Sequence, residues 1–181
     1  LAYLILKQQD AAGVITFSNR IEAFVPPRAK RDYLLQILHA LENRGPAGET
    51  NVGKILEDLA GQIRRRGLVI LVSDLLDEPE QILKGLRQFR FKGNDVIVFH
   101  LLDPAEIDLP FDGNILFEDL EAANVQIIAD PRAIRATYKQ VVGEFIADMR
   151  KQCHADSIDY QLISTATPLD QALASYLSWR G

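Results

Sequence analysis

The sequence has one cysteine, Cys153, and one methionine, Met149, among its 181 residues. A single thiol cannot form an internal disulfide, which excludes a small disulfide-stapled secreted domain and favours a reducing, cytoplasmic setting. Cys153 falls on the apolar stripe of a predicted long helix, so we interpret it as a core residue. No apolar run approaches the roughly 18 residues of a membrane-spanning helix, and no signal peptide is visible. We therefore expect a cytoplasmic location and no membrane span within these residues.

Basic charge is also scarce. Acidic residues number 25 against 20 basic ones, which gives a net charge of −5. The longest basic run, Arg64 to Arg66, has only three residues. Proteins that bind nucleic acid through its phosphates need a stripe or patch of clustered lysine and arginine. The sequence therefore argues against nucleic acid as a partner.

The signature motifs of several enzyme classes are missing as well. Neither the Gly-x-Gly-x-x-Gly nor the Gly-x-x-x-x-Gly-Lys-[Ser/Thr] phosphate loop occurs, which leaves nucleotide binding without support. The Gly-x-Ser-x-Gly elbow of the α/β-hydrolases does not occur either. The three histidines, His39, His100 and His154, share no metal-ligand or triad spacing. His100 lies between Phe99 and Leu101 on a predicted strand, and we interpret it as a hydrogen-bonded core residue.

What the sequence does contain is a regular alternation of strand and helix patterns. Hydrophobic residues make up 48% of the chain, enough for one well-packed domain, and we expect residues 1–181 to form a single one. The runs Leu68 to Val72 and Asp95 to Leu102 are almost wholly apolar, as in parallel strands covered on both faces. We predict a doubly wound, mostly parallel α/β sheet with helices on both faces. Leu68 to Ser73 and Asp95 to Leu102 should lie near its centre. Ile21 to Val25 should be an antiparallel edge strand that stops at Pro26-Pro27.

The remaining elements are predicted from local patterns. Asp130-Pro131 is a strong helix start, with aspartate at the N-cap and proline at the first helical position. Ile115 to Phe117 and Val125 to Ile128 either pair as a hairpin or extend an edge of the sheet. The other predicted helices and strands are Leu1 to Gln9, Gly13 to Phe17, Tyr33 to Leu41, Val52 to Ile63, Glu78 to Phe91, Ile158 to Ile163 and a last helix from Thr167.

Two residues are candidate metal ligands because of where they fall in this pattern. Asp74 follows the strand Leu68 to Val72, and ligands of open α/β sheets bind at the carboxyl ends of parallel strands. Thr50 precedes the helix that begins near Val52. A carboxylate and a hydroxyl suit a hard cation such as Mg²⁺. Each also has a structural interpretation, since Thr50 can cap its helix and Asp74 can bond loop amides.

A paired-carboxylate site is a further possibility raised by the sequence. Asp74, Asp77, Glu78 and Asp103 all follow predicted strands. Asp77 and Glu78, however, stand at the start of a helix, where negative charge favours the helix dipole.

Several segments together resemble a bacterial family, the domain-of-unknown-function family fifty-eight. The resemblance extends over essentially the whole chain, and the motifs are specific in combination. They are Leu4 to Gly13, Val25 to Arg28, His100 to Glu106, Asp108 to Phe111, Phe117 to Glu121, Ile158 to Tyr160, Thr165, Pro168-Leu169 and Ala172-Leu173.

The resemblance implies a von Willebrand factor A-like fold with a metal-ion-dependent adhesion site formed by three loops. Thr50 then matches the second-loop residue and Asp74 the third-loop residue, with Mg²⁺ or Mn²⁺ as the ion. Glu49 and Asn51 stand where the family pattern has Gly and Asp. The first-loop motif, Asp-x-Ser-x-Ser, does not occur in the 181 residues. We expect it upstream of Leu1.

That expectation means the domain is truncated at its N-terminus. Its first central strand is missing, and this strand belongs between the strands that begin at Gly13 and Leu68. Without the first loop, the 181 residues should hold no ordered metal, or only a weakly bound one.

The function implied by the resemblance is that of a non-enzymatic protein-binding module. Its suspected partner is a MoxR-type AAA ATPase. Two alternatives stay open at this point: a metal-dependent hydrolase or phosphatase, and a scaffold with a vestigial metal site. An enzyme would need a nucleophile or base beside Asp74, and the sequence offers none.

Overall fold

Strands and helices alternate along the chain in a computed structural model, which describes residues 1–42, 52–63, 65–118, 126–168 and 170–174. The elements are α1 (Ala2–Lys7), β1 (Ala12–Phe17), β2 (Ile21–Arg28), α2 (Tyr33–Glu42), α3 (Val52–Gln62), β3 (Leu68–Ser73), α4 (Pro79–Phe91), β4 (Asp95–Leu102), α5 (Pro104–Asp108), β5 (Ile115–Glu118), β6 (Gln126–Ala129), α6 (Pro131–Ala155) and β7 (Asp159–Ser164). Residues 170–174 are also helical.

The main sheet has three parallel strands in the order β3-β4-β7. One face packs against α3, α4 and α6 through a core that includes Leu56, Leu86, Val98 and Met149. On the other face, side chains such as Phe99 pack with residues of the helical stretch 170–174. The predicted α/β class and parallel strands flanked by helices are therefore confirmed.

The predicted central position holds for β4 but is wrong for β3. Strand β4 lies between two neighbours, and all but two of its side chains are buried on one face or the other. Strand β3 lies at the edge of the described sheet, and Leu68 and Val72 expose 48% and 54% of their surface. Among the described strands, only β4 forms hydrogen bonds with β3, so the other edge of β3 is open. An apolar run therefore did not distinguish a central strand from an edge strand.

Strands β1 and β2 form a separate antiparallel pair. The predicted stop at Pro26-Pro27 is wrong, because β2 continues to Arg28. The pairing is irregular between Ala12 and Val14, a bulge that accommodates prolines lacking an N–H group. Gly13 lies at this bulge, and a Cβ there would come within 2.6 Å of the Val25 carbonyl oxygen. Only glycine permits so close an approach.

Helices α3 and α4 are packed in unusually close contact. A Cβ on Gly53 would lie 2.5 Å from the Cβ of Gln81, and one on Gly85 would lie 2.5 Å from the Cβ of Leu56. Helix α4 starts with Glu78 at the N-cap and Pro79 in its first turn. The close packing holds the first turn of α3 beside the loop between β3 and α4.

The connection after β4 is fixed to the long helix α6. The side chain of Asp130 accepts a hydrogen bond from the Arg132 amide at the start of α6, as predicted. Arg135 then donates to the carbonyl oxygens of Leu109 and Phe111, at 2.9 and 2.6 Å. These bonds order the segment that leads into β5.

Strands β5 and β6 form an antiparallel pair, so the hairpin is the correct one of the two predicted arrangements. In the described ranges, no helix combines the length and apolar character required to cross a bilayer.

Candidate functional site

Asp74 lies at the carboxyl end of the parallel sheet, where the sequence predicts it. Ser73, the last residue of β3, pairs with His100 of β4, and Asp74 follows at once with an exposed side chain. Its Oδ1 accepts a hydrogen bond from the Leu76 amide at 3.3 Å, with the Ser73 hydroxyl at 3.4 Å. Its Oδ2 has no hydrogen-bond partner among the described residues. Asp74 therefore presents one carboxylate oxygen that no described residue engages.

The loop after Asp74 has a sharp reversal at Leu75. This residue has φ = +56°, in the left-handed region, yet its side chain is fully buried in the main core. A left-handed conformation costs a non-glycine residue about 1–2 kcal/mol, while full burial of a leucine side chain contributes roughly 1.5–3 kcal/mol. The Leu75 amide also donates to the Ser73 hydroxyl at 3.1 Å. Core packing thus stabilises the turn that leaves Asp74 at the surface.

Asp77 joins this loop to the start of α3. Its Oδ1 accepts from the Glu78 amide at 2.7 Å, and its Oδ2 accepts from the Gly53 amide at 3.4 Å. The sequence placed Asp77 at the start of α4 or in a paired-carboxylate site, so its bond to α3 was missed. Thr50, together with Glu49 and Asn51, lies outside the described residues. The loop carrying Asp74 therefore contacts the first turn of the helix that follows Thr50 in the chain.

His100 is a hydrogen-bonded core residue, as the sequence predicted. Its side chain is fully buried. Its Nε2 lies 2.8 Å from the Asp74 carbonyl oxygen, and its Nδ1 lies 2.5 Å from the Tyr160 hydroxyl oxygen. The alternation of side chains along β7 is consistent with an inward Tyr160, but nothing in the sequence pairs it with His100.

Burial also determines the protonation of His100. Desolvation lowers the pKa of His100 below its ordinary value of 6.5, although the Asp74 carbonyl and the Asp74 and Glu106 carboxylates oppose this effect. The imidazole is therefore neutral at neutral pH. Because both ring nitrogens are bonded inside the protein, His100 offers no general base to a substrate.

Asp103 has both of its carboxylate oxygens engaged in hydrogen bonds. Asp103 caps α5, where its Oδ1 accepts from the Ala105 amide at 2.8 Å and its Oδ2 from the Thr165 hydroxyl at 2.7 Å. These two bonds hold the pKa of the Asp103 carboxyl below its ordinary value of 3.8. Across the described part of the chain, no three His, Cys, Asp or Glu side chains are arranged to hold a metal ion. Two of the four carboxylates raised by the sequence, Asp77 and Asp103, each have both oxygens engaged in hydrogen bonds.

Cys153 is buried in the main core, in agreement with its predicted role. Burial, and to a lesser degree the negative charge of Asp156, raises the pKa of its thiol to about 12. A thiol in this state is neither a nucleophile nor a metal ligand at neutral pH.

The described residues thus define an α/β protein with a parallel sheet and an exposed carboxylate at the carboxyl end of β3. The chain belongs to the family described as "Protein of unknown function DUF58", which it matches over residues 1–145. This match confirms the family resemblance that the sequence motifs indicated.

Mycobacterial relatives match part of the chain. The chain is 26% identical over 158 residues to the uncharacterized proteins Mb1516 of Mycobacterium bovis and Rv1480 of Mycobacterium tuberculosis. The match includes 78% of this chain and 49% of either relative, so the chain spans about half the length of the relatives that it matches.

Two solved structures share the fold at 14% sequence identity. One is the conserved hypothetical protein BatB of Bacteroides thetaiotaomicron, with a TM-score of 0.58 over 98% of this chain and 83% of that protein. The other is an aerotolerance-related membrane protein of Bacteroides fragilis, with a TM-score of 0.54 over 98% and 87%. Identity this low informs on the fold alone.

Proposed function

We propose that this protein is a metal-dependent protein-binding module with a von Willebrand factor A-like fold, in which Thr50 and Asp74 help to hold Mg²⁺ or Mn²⁺. The observation that carries the proposal is the exposed Asp74 carboxylate at the carboxyl end of β3, with one oxygen unengaged by described residues. The Asp77 bond to Gly53 adds support, because it brings the start of α3, just after Thr50, to the same loop.

The chemistry of the available groups fits a hard cation. Mg²⁺ prefers oxygen ligands in octahedral geometry and usually keeps several waters, so one or two protein oxygens from this chain are a reasonable contribution. Asp77 is less available as a ligand than Asp74, since both of its oxygens already accept backbone hydrogen bonds. When bound, the cation would supply a positive charge, and a carboxylate of the partner protein could complete its coordination. No bond needs to be broken in such an interaction.

The proposed fold includes one more strand, between β1 and β3. Each of these strands has an edge that pairs with no described strand. Ile15 and Phe17 of β1 nevertheless pack against the same core as Leu71 of β3. The hydroxyl of Thr16 on β1 is buried without a hydrogen-bond partner in the described part of the protein. A strand carrying the Asp-x-Ser-x-Ser motif would pair with both edges and end beside Asp74.

The proposed partner is a MoxR-type AAA ATPase, and its basis is the family resemblance of the sequence. The surface around Asp74 is compatible with a protein partner, because the neighbouring Leu76 exposes 67% of its surface. A hydrolase or phosphatase gains no support, since the one histidine near Asp74 has both nitrogens engaged.

A pull-down from the source bacterium with the full-length protein tests the proposal. The wild type should recover the ATPase in Mg²⁺ and lose it in a chelator, and Asp74→Ala should weaken recovery. Asp148→Ala is the matched control, because Asp148 is an exposed carboxylate on α6 whose bond is to Gln152 within the same helix. Equal recovery with Asp74→Ala and with wild type would favour a scaffold with a vestigial site.

A further inference from the structure

The loop that carries Asp74 is attached to the sheet through a buried side chain of the neighbouring strand. His100 on β4 reaches across to the backbone after β3, with its Nε2 2.8 Å from the Asp74 carbonyl oxygen. Its other nitrogen, Nδ1, lies 2.5 Å from the hydroxyl oxygen of Tyr160 on β7. The rings of Phe145 and His100 pack nearly perpendicular to each other, with their centroids 5.8 Å apart. One connected path therefore runs across all three strands of the sheet.

The partners of His100 determine its tautomer. A carbonyl oxygen can only accept a hydrogen bond, so the Nε2 that faces Asp74 must carry a hydrogen. In a neutral imidazole Nδ1 is then an acceptor, and the Tyr160 hydroxyl donates to it. By donating to Nδ1, Tyr160 stabilises the tautomer that the Asp74 carbonyl requires, as a second partner commonly does for functional histidines.

The Asp74 backbone needs such support because of the residue that follows. Leu75 is in the left-handed region at φ = +56°, which is unfavourable for a leucine. The peptide group between Asp74 and Leu75 is held by two hydrogen bonds. His100 donates to its carbonyl oxygen, and its N–H group donates to the Ser73 hydroxyl. These two bonds fix the peptide plane, and with it the direction in which the Asp74 carboxylate leaves the chain.

We propose that His100 and Tyr160 form a positioning pair, in which Tyr160 stabilises the Nε2-protonated tautomer of His100 and His100 holds the Asp74 carboxylate in the orientation that binds a divalent cation. This inference rests on the proposed function, because it assigns the pair a role in that same site. His100 acts through Asp74 and touches no ligand itself.

The first experiment measures Mn²⁺ affinity by calorimetry in the full-length protein. Removing a residue that orients a metal ligand through a hydrogen bond typically weakens metal binding about 10-fold to 100-fold. We expect a loss of Mn²⁺ affinity in this range for His100→Leu, which removes the bond to Asp74. His100→Gln should restore most of the affinity, because its amide can still donate to the Asp74 carbonyl. Tyr160→Phe should give a smaller loss in the same direction, and it serves as the test if His100→Leu does not fold.

The matched control is Val98→Ala. Val98 is fully buried on the same strand and in the same core, but it makes no bond to the Asp74 loop. It should destabilise the fold and leave Mn²⁺ affinity unchanged. If the wild type binds Mn²⁺ and His100→Leu or Tyr160→Phe binds it equally well, the positioning role is wrong and the metal site stands. If the wild type binds no Mn²⁺, the site and the role are both wrong.

A second measurement is independent of metal. Nitrogen-15 NMR of the imidazole in the wild type should show a protonated Nε2 and an unprotonated Nδ1, and Tyr160→Phe should shift the Nδ1 resonance. A hydrogen on Nδ1, or a spectrum that does not change in Tyr160→Phe, would overturn the pairing whatever the cation does.

Discussion

The close contact between α3 and α4 gives a quantitative prediction for Gly85→Ala. The new methyl carbon would lie 2.5 Å from the Cβ of Leu56 and 3.1 Å from the Gly53 carbonyl oxygen. Carbon atoms normally approach to about 3.5–4.0 Å, so the two helices must separate by roughly an ångström. Leu56 cannot avoid the methyl by rotating, because its Cβ is fixed to the backbone.

The expected net destabilisation is moderate. Overpacking costs about 1–3 kcal/mol, and a contact this short with a backbone-anchored atom belongs at the upper end of that range. Replacing glycine by alanine inside a helix gains about 1 kcal/mol. We therefore expect Gly85→Ala to lower the free energy of unfolding by about 2 kcal/mol.

Gly143→Ala is the control for this prediction. Gly143 is exposed in the middle of α6, and a Cβ there would meet nothing within 4 Å. Gly143→Ala should gain the higher helix propensity of alanine without any steric cost, and it should therefore stabilise the protein by about 1 kcal/mol. Urea unfolding followed by circular dichroism gives both values from the shift of the midpoint at constant slope. If Gly85→Ala proves as stable as Gly143→Ala, the packing of α3 on α4 is not as described here.

Two further predictions concern buried and capping groups. Iodoacetamide at about pH 8 should not modify Cys153 in the folded protein and should modify it after unfolding, because the thiol is buried and its pKa is raised to about 12; rapid modification of the folded protein would contradict its burial. The pKa of Asp103 is lower in the folded protein than in the unfolded chain. Its ionised carboxylate therefore stabilises the fold at pH values above the pKa of the unfolded chain, and this stabilisation is lost as the pH falls through the pKa of the folded protein. Asp103→Asn should therefore lower Tm at neutral pH, and the difference from wild type should close below about pH 4; a difference that stays constant with pH would show that the hydrogen bonds of Asp103 are not responsible.

The sequence predicted correctly the strand and helix bounds that depend on residues adjacent in the chain. The bounds of β4 agree with the apolar run Asp95 to Leu102, and α6 begins at Pro131 behind its Asp130 cap. Both depend on residues adjacent in sequence. The position of Asp74 at the end of β3 also follows locally, because the strand and the break after it are contiguous.

The features that the sequence did not predict are contacts between distant segments. The bonds of His100 to Tyr160 and to the Asp74 carbonyl span 60 and 26 residues, and the Asp77 bond to Gly53 spans 24. They depend on strand order and register, which alternation within one strand does not encode. The edge position of β3 was missed for the same reason.

The central claim is that Asp74, together with Thr50, holds a divalent cation, and calorimetry with Mg²⁺ and Mn²⁺ tests it most directly. The full-length wild type should bind either ion, and Asp74→Ala should bind it far more weakly. The 181-residue segment alone should bind weakly or not at all, because it supplies too few fixed oxygens to compete with hydration of the ion. No binding by the full-length protein at millimolar metal would contradict the account, as would equal binding by Asp74→Ala.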